Sequence, residues 1–311
     1  MSRRVLGKSG IEVSVIGMGL WAIGGDYWGS IDDQEALQAI GRALELGVNF
    51  FDTADVYGDG HSEELLGLAM KGRRDKFVVT TKIGWKGYDR EHGRSAYDTP
   101  EKVIAGVEES LRRLQTDYID LIQCHINFRD PTMENFVEGF QRLQQGGKVR
   151  AYGVSTSDFE YLKAFNADGR GATLQIDYSI LNRTPEREVF PYCIENNIGV
   201  IARGPLAMGR LTSKFSPNTR FPPDDWRRRW IEDPDEYGIF RPLAERRSLA
   251  QLALQFVISS PAVSVAIPGA RSASQVEENV KAALLPPLTP EELSFIDSVV
   301  PPGGGRKIWP A

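Results

Sequence analysis

Four polar residues suited to proton transfer lie at or just after the ends of apolar segments. Asp52 ends "NFFD", Tyr57 follows five residues later, Lys82 ends "FVVTTK" and His125 ends "IDLIQCH". A free tyrosine has a pKa of ~10 and is a weak acid at neutral pH, but a nearby ammonium lowers that pKa. We therefore expect Lys82 to bring the pKa of Tyr57 below ~10 and Asp52 to keep Lys82 charged. His125 would hydrogen-bond a substrate carbonyl oxygen.

The same residues have a second interpretation without chemistry. Asp52 and Lys82 would form a structural ion pair, and His125 would be a histidine with satisfied hydrogen bonds. Four such groups at consecutive segment ends favour acid–base chemistry on a carbonyl. Asp55 and Asp59, in the same stretch as Tyr57, receive no role from the sequence.

Eight short apolar runs predict the strands that position these groups. The predicted strands span 12–19, 49–54, 77–82, 119–125, 149–155, 173–178, 199–204 and 263–269. Segments with apolar residues at spacings of three and four alternate with them and predict helices. These helices span 32–47, 62–70, 100–114, 132–146, 158–165, 186–197, 241–260 and 272–284. Eight strand–helix units predict a parallel sheet closed into an α/β (β/α)8 TIM barrel, whose carboxyl strand ends converge on one cavity.

Two further segments complete the predicted architecture. The start "RRVLGKSGIEV" predicts an N-terminal β-hairpin that caps the barrel floor. An irregular, proline-containing insertion at 213–240 follows strand seven, on the face where barrel enzymes place their active sites. No Ser/Gly-rich linker divides the chain, so residues 1–311 are expected to form a single domain.

Composition excludes several classes of protein. The net charge of −5 argues against nucleic acid as a partner, and no apolar run is long enough to span a membrane. The first residues lack the apolar core of a signal peptide, and two cysteines provide no disulfide framework. We expect a cytoplasmic protein without a bound metal.

Seven segments in a fixed order closely resemble the aldo-keto reductase family. They are "NFFDTADVYGDGHSEELLG", "VVTTKIG", "DYIDLIQCH", "KVRAYGVST", "LQIDYSILNR", "GPLAMGRLTSKF" and "IPGARSASQVEEN". The branch that this chain resembles is the bacterial one related to voltage-gated potassium channel β subunits. The resemblance implies hydride transfer between NADP(H) or NAD(H) and a carbonyl–alcohol pair, with Tyr57 as the general acid/base.

The resemblance also implies a cofactor site along the strand ends. Gly19, Leu20 and Trp21 would lie near the nicotinamide, whose amide would be held by Ser155, Thr156 and Gln175. Arg203 stands where the family often stacks a tyrosine, and a planar guanidinium can stack there as well. The strap over the pyrophosphate would comprise Gly204, Pro205, Leu206, Gly209, Leu211 and Lys214, with amides from Leu206, Gly209 and Leu211.

The adenosine end follows strand eight. The residues expected there are Ile267, Gly269, Arg271, Gln275, Glu278 and Asn279, with Arg271 as the candidate for a 2′-phosphate contact. Many relatives have Lys-Ser at the positions of Gly269 and Ala270, and an arginine at that of Gln275. Two of the usual phosphate contacts are therefore missing. Arg271 is the residue that still favours NADP(H) over NAD(H).

The substrate is expected to be an aldehyde, ketone or sugar. The pocket residues would be Trp21, Trp28, Trp85 and Asn127. Two other functions stay open at this point. One is an NADPH-binding regulatory subunit with little turnover, and the other is an unrelated barrel lyase that forms a Schiff base through Lys82.

Overall fold

The computed structural model describes residues 1–25, 31–89, 91–125, 133–214, 218–221 and 238–306. Within these ranges eight strands form one parallel sheet, in which neighbouring strands follow chain order. The strands are β3 Met18–Gly19, β4 Phe50–Asp52, β5 Val78–Ile83, β6 Ile119–Cys124, β7 Val149–Ser155, β8 Thr173–Asp177, β9 Gly199–Arg203 and β10 Val263–Ala266. Parallel bridges between Ile16 and Ala266 and between Gly19 and Gly269 join the two edges. The predicted (β/α)8 barrel is confirmed.

The N-terminal hairpin closes the barrel floor. It pairs β1 Arg3–Val5 with β2 Glu12–Ser14 in antiparallel register. Leu6, Ile11 and Val13 join the apolar cluster inside the barrel, which includes Phe50 and Ile201. Burial of these side chains fixes the hairpin on the end opposite the predicted site.

The prediction of a single strand over 12–19 is wrong. It is divided between β2 of the hairpin and the short barrel strand β3. Ser14 pairs with Arg3 of β1, and its amide donates to Oδ1 of Asn49 at 2.7 Å. The Asn49 side chain therefore links the end of the hairpin to the residue before β4.

Helices cover the outside of the sheet. They are α1 Asp33–Glu45, α2 His61–Met70, α3 Pro100–Leu114, α4 Met133–Gln145, α5 Phe159–Phe165, α6 Val189–Glu195, α7 Leu249–Ser259, α8 Ala273–Ala282 and α9 Pro290–Val299. Asp32, Thr99 and Ser272 cap α1, α3 and α8 through their side chains.

Three helical predictions need correction. The segment 241–260 starts within a 3₁₀ helix, Gly238–Ala244, and its later part forms α7, which starts at a capping box of Ser248 and Gln251. The segment 186–197 is shortened to α6. Helix α9 was not predicted, although Thr289 and Glu292 form a capping box around Pro290 that marks its start.

Most of the predicted insertion at 213–240 lies outside the described residues. Among the helices of the described ranges, none is long and apolar enough to cross a membrane.

Candidate active site

Three of the four predicted catalytic groups lie on neighbouring strand ends. Asp52 ends β4, Lys82 lies one residue before the end of β5 and His125 follows β6. Strands β4, β5 and β6 pair in that order, so their carboxyl ends meet at one rim of the barrel. Tyr57 lies in the turn after β4 and reaches the same rim. The barrel therefore brings together residues that lie far apart in the chain.

Lys82 is the centre of this group. Its side chain is fully buried, and its Nζ donates to Oδ1 of Asp52 at 2.7 Å and to the Thr53 carbonyl at 2.8 Å. The same Nζ lies 3.3 Å from the hydroxyl of Tyr57. Three oxygens thus match the three N–H donors of an ammonium group, so that Lys82 is held in one orientation towards the phenol.

Asp52 has a second partner that the sequence did not reveal. The side-chain Nε2 of Gln175, on β8, donates to Oδ2 of Asp52 at 2.7 Å. Gln175 was expected to hold the nicotinamide amide, but this N–H donor is directed to Asp52. Nothing in the sequence signals the contact, because it crosses the barrel interior. Each carboxylate oxygen of Asp52 therefore has a buried donor.

The charges of this cluster set the protonation states. Burial alone would lower the pKa of Lys82, but Asp52 and then Tyr57 outweigh it, so the pKa of Lys82 lies above its ordinary value of 10.5. Burial raises the pKa of Tyr57 above its ordinary value of 10, and Lys82 opposes this only in part. The expectation of a Tyr57 pKa below 10 is wrong. Tyr57 is consequently a neutral phenol at neutral pH, the form that donates a proton.

His125 is an uncharged imidazole beside the phenol. Burial lowers its pKa well below 6.5, and the positive charges of Lys82 and Arg203 lower it further. Its ring meets the Tyr57 ring edge-on, with centroids 5.9 Å apart, and its Nδ1 has no hydrogen-bond partner among the described residues. A neutral ring with one N–H suits a hydrogen bond to a carbonyl oxygen.

Two tryptophans flank the rim that carries Tyr57 and His125. The ring of Trp21 stacks near Tyr57, with centroids 6.0 Å apart, and the ring of Trp85 meets His125 edge-on at 6.5 Å. Both side chains are half-buried. Two other predicted pocket residues, Trp28 and Asn127, lie outside the described residues.

The predicted nicotinamide contacts line the next strand ends. Ser155 ends β7, and the buried Thr156 follows it. The Thr156 hydroxyl accepts a hydrogen bond from the Asp158 amide at 3.0 Å, which closes the turn after β7. Arg203 ends β9 and donates to the Ser157 hydroxyl at 3.2 Å. Burial lowers the pKa of Arg203, while Asp177 and the Tyr57 and Asp52 groups favour its charge.

The strap after β9 has an unusual backbone. Ala207 and Met208 adopt positive φ angles of 47° and 62°, in the left-handed region that side chains disfavour. The amides of Gly209 and Leu211 both donate to the Leu206 carbonyl, at 2.9 and 3.2 Å. These two bonds close the turn of the strap, and the contact of the two amides with a pyrophosphate stays a prediction. Of the other predicted strap residues, Pro205 is buried, Gly204 is half-buried and Lys214 is exposed.

The predicted adenosine end surrounds the start of α8. The Arg271 amide donates to Oε1 of Gln275 at 2.9 Å, so Gln275 braces the loop before the helix. The carbonyl of Glu278 accepts from Gln251. Asn279 and Ile267 are buried. Gly269 forms a parallel β-bridge with Gly19. At the predicted nicotinamide end, next to Gly19, the Leu20 amide donates to the Asp52 carbonyl.

Comparison of the sequence with protein families and curated proteins gives a consistent result. The profile of the Aldo/keto reductase family matches residues 15–301. The Aldo-keto reductase YhdN of Bacillus subtilis (strain 168) is 36% identical over 290 residues, covering 88% of this chain and 86% of the relative. The NADH-specific methylglyoxal reductase of Escherichia coli (strain K12) is 33% identical over 304 residues, covering 91% and 93%.

Solved structures share the whole architecture. The holo form of an aldo-keto reductase from Bacillus halodurans superposes with a TM-score of 0.83 at 33% identity, covering 100% of this chain and 98% of the other. An aldo/keto reductase from Klebsiella pneumoniae in complex with NADP and acetate gives a TM-score of 0.75 at 29% identity, covering 97% and 96%.

Proposed function

The chain belongs to the aldo/keto reductase family, and from this premise we propose that it reduces a carbonyl substrate with NAD(P)H through Tyr57 as the general acid. The observation that carries the proposal is the position of Lys82, whose Nζ lies at hydrogen-bond distance from both Asp52 and the Tyr57 hydroxyl. The reverse reaction, oxidation of an alcohol, uses the same groups.

The donors at the rim fit a nicotinamide dinucleotide. The Ser155 hydroxyl and the Arg203 guanidinium stand at the catalytic end, and the cations Lys214 and Arg271 stand on the strap and before α8. Polar hydrogen-bonding groups at one end and positive charges at the other match an amide and phosphates. When bound, the reduced nicotinamide supplies a hydride to the carbonyl carbon.

The residues of the chain would transfer a proton to the substrate and stabilise the phenolate that remains. Tyr57 gives its phenolic proton to the carbonyl oxygen, and the ammonium of Lys82 stabilises the phenolate that remains. His125 donates a hydrogen bond to the same oxygen and orients it. Asp52, held by Gln175, keeps Lys82 charged and directed to the phenol. The side chains of Trp21 and Trp85 line the pocket around the carbonyl group.

The substrate class is an aldehyde, ketone or sugar of small size, and NADP(H) is the favoured cofactor. Arg271 supports this preference because a guanidinium forms bidentate bonds with a phosphate. We also propose that residues 1–311 form one domain, since the barrel closes only when β3 meets β10.

Substitution of Tyr57 by Phe tests the function. The purified Tyr57→Phe variant should reduce 4-nitrobenzaldehyde about 10²-fold to 10⁴-fold more slowly, the contribution typical of a general acid. Its affinity for NADPH, read from NADPH fluorescence, should stay within about twofold, because Tyr57 is not among the phosphate or amide contacts. Turnover at the wild-type rate would refute the assignment of Tyr57.

A further inference from the structure

A buried carboxyl group, Asp55, lies behind the catalytic turn. Its side chain is 1% exposed, and its amide donates to the Lys82 carbonyl at 3.1 Å. Oδ2 accepts a hydrogen bond from the Tyr97 hydroxyl at 3.2 Å, and Oδ1 has no hydrogen-bond partner among the described residues. Asp55 thus contacts both the strand of Lys82 and the segment that follows it.

Tyr97 belongs to the Trp85 segment, which we define as residues 84–99 between β5 and α3. The Tyr97 side chain is 7% exposed, and its ring packs on Phe136 with centroids 5.5 Å apart. Trp85, near the start of the segment, forms the pocket wall beside His125. The hydroxyl of Tyr97 therefore ties the end of this segment to the turn that carries Tyr57.

We propose that Asp55 is a positioning residue that holds the Trp85 wall of the substrate pocket against the catalytic turn through the Tyr97 hydroxyl. This inference rests on the proposed function of the rim. A second tie between the two segments, from Lys86 Nζ to Oδ1 of Asp59 at 3.2 Å, is exposed at the surface. An exposed ion pair contributes little, so the buried Asp55–Tyr97 bond is the stronger of the two.

Ionisable groups from several elements surround Asp55. They are Glu63 on α2, Arg113 on α3, and Lys86 and Tyr97 of the Trp85 segment. Glu63 is fully buried and accepts hydrogen bonds from Thr81 at 2.5 Å and from Arg113 at 2.6 Å. Since Arg113 already pairs with Glu63, it offsets the charge of Asp55 only in part.

The strength of the tie depends on pH. Burial, and then the charge of Glu63, raises the pKa of Asp55 to about 7, against the opposing effects of Tyr97, Arg113 and Lys86. A carboxylate accepts a hydrogen bond more strongly than a carboxylic acid does. The Trp85 wall is therefore held more firmly above pH 7 than below it, and the affinity for the aldehyde should rise across this range.

Three variants test the positioning role. Tyr97→Phe and Asp55→Ala remove the bond and should raise KM for 4-nitrobenzaldehyde about threefold to tenfold, the range of one lost hydrogen bond, with kcat within about twofold. Asp55→Asn keeps an acceptor for Tyr97 without a titrating group. Its KM should stay level between pH 6 and 8, where the wild-type KM falls.

Amide hydrogen exchange gives a readout that does not need turnover. Exchange in residues 84–99 should accelerate in Tyr97→Phe and Asp55→Ala, and stay near the wild type in Asp55→Asn. Tyr178→Phe is the matched control, because it removes a hydroxyl–carboxylate bond of 2.8 Å to Glu186 elsewhere. It should change neither KM nor exchange in the segment.

Unchanged exchange and KM in Tyr97→Phe would overturn the positioning role, as would a wild-type pH dependence of KM in Asp55→Asn. If the wild type reduces no carbonyl compound but the exchange pattern is as expected, the proposed function fails and the tie itself stands.

Discussion

The side-chain amide of Gln175 donates to Oδ2 of Asp52 at 2.7 Å across the barrel interior, from a position 123 residues further along the chain. Asp52 is held on its other oxygen by Lys82. The Asp52–Lys82 ion pair therefore has Gln175 as a third partner, and the three residues come from β4, β5 and β8. Its stability depends on closure of the barrel, because β8 is not a neighbour of β4.

Gln175→Leu tests this relationship. The change leaves a buried carboxylate oxygen without its donor, and a hydrogen bond to a charged group contributes about 1.5–3 kcal/mol. If that contribution acts on the transition state, kcat/KM should fall about tenfold to 150-fold. Steady-state kinetics of aldehyde reduction would measure this.

The matched control is Gln141→Leu. It also removes a glutamine-to-aspartate bond, of 2.6 Å to Asp168, but on the outer helix layer. Its kcat/KM should stay within about twofold. A loss as large as that of Gln175→Leu would show that the effect does not come from Asp52.

Lys82→Met should destabilise the protein as well as inactivate it. The substitution leaves Asp52 buried without its cation, and breaking a buried pair on one side costs about 3–5 kcal/mol. The double variant Asp52→Asn/Lys82→Met removes both charges and should regain most of that free energy of unfolding. Denaturant unfolding of the wild type and of the two variants measures both effects.

The same pair of variants separates stability from catalysis. The double variant should stay inactive, because no ammonium remains to stabilise the Tyr57 phenolate. Recovery of turnover together with stability would contradict the role of Lys82.

His125 should stay uncharged through the neutral range. Because burial and two nearby cations hold its pKa well below 6.5, the unfolded chain binds a proton between that pKa and 6.5 while the folded chain does not. This contribution to stability is complete above pH 6.5 and is lost as the pH falls below it. His125→Asn should therefore lose less stability than the wild type between pH 7 and pH 5.

Titration of the imidazole by NMR gives the direct measurement. The resonance that disappears in His125→Asn should show no titration step between pH 6 and 8. A step within that range would contradict the neutral imidazole.

Arg271→Ala tests the cofactor preference. Loss of a charge-assisted bond to the 2′-phosphate should raise KM for NADPH about tenfold to 100-fold. KM for NADH should change less than about twofold, since NADH lacks that phosphate. Kinetics with both cofactors measures the ratio, and equal effects on the two would place Arg271 outside the 2′-phosphate site.

Much of the fold follows from local patterns. Strand β7 and helix α3 were predicted to the residue, because an apolar run and a Thr99-Pro100 start are local signals. The division of 12–19 has no local signal, since its two parts pair with different strands, β1 and β4. The start of helix α9 at Thr289 is also a local signal, because Thr289 and Glu292 form a capping box around Pro290.

The sequence by itself determined which residues stand at the carboxyl ends of the strands, and hence that Asp52, Lys82 and His125 share a rim. Only the tertiary structure decided what these groups contact and how charged they are. Gln175 donates a hydrogen bond to Asp52, and Tyr97 donates one to Asp55. The amides of Gly209 and Leu211 donate to the Leu206 carbonyl within the strap. Burial then raises the pKa of Tyr57 against the pull of Lys82. Strand ends follow from local periodicity, whereas desolvation and side-chain contacts depend on every element packed around the group.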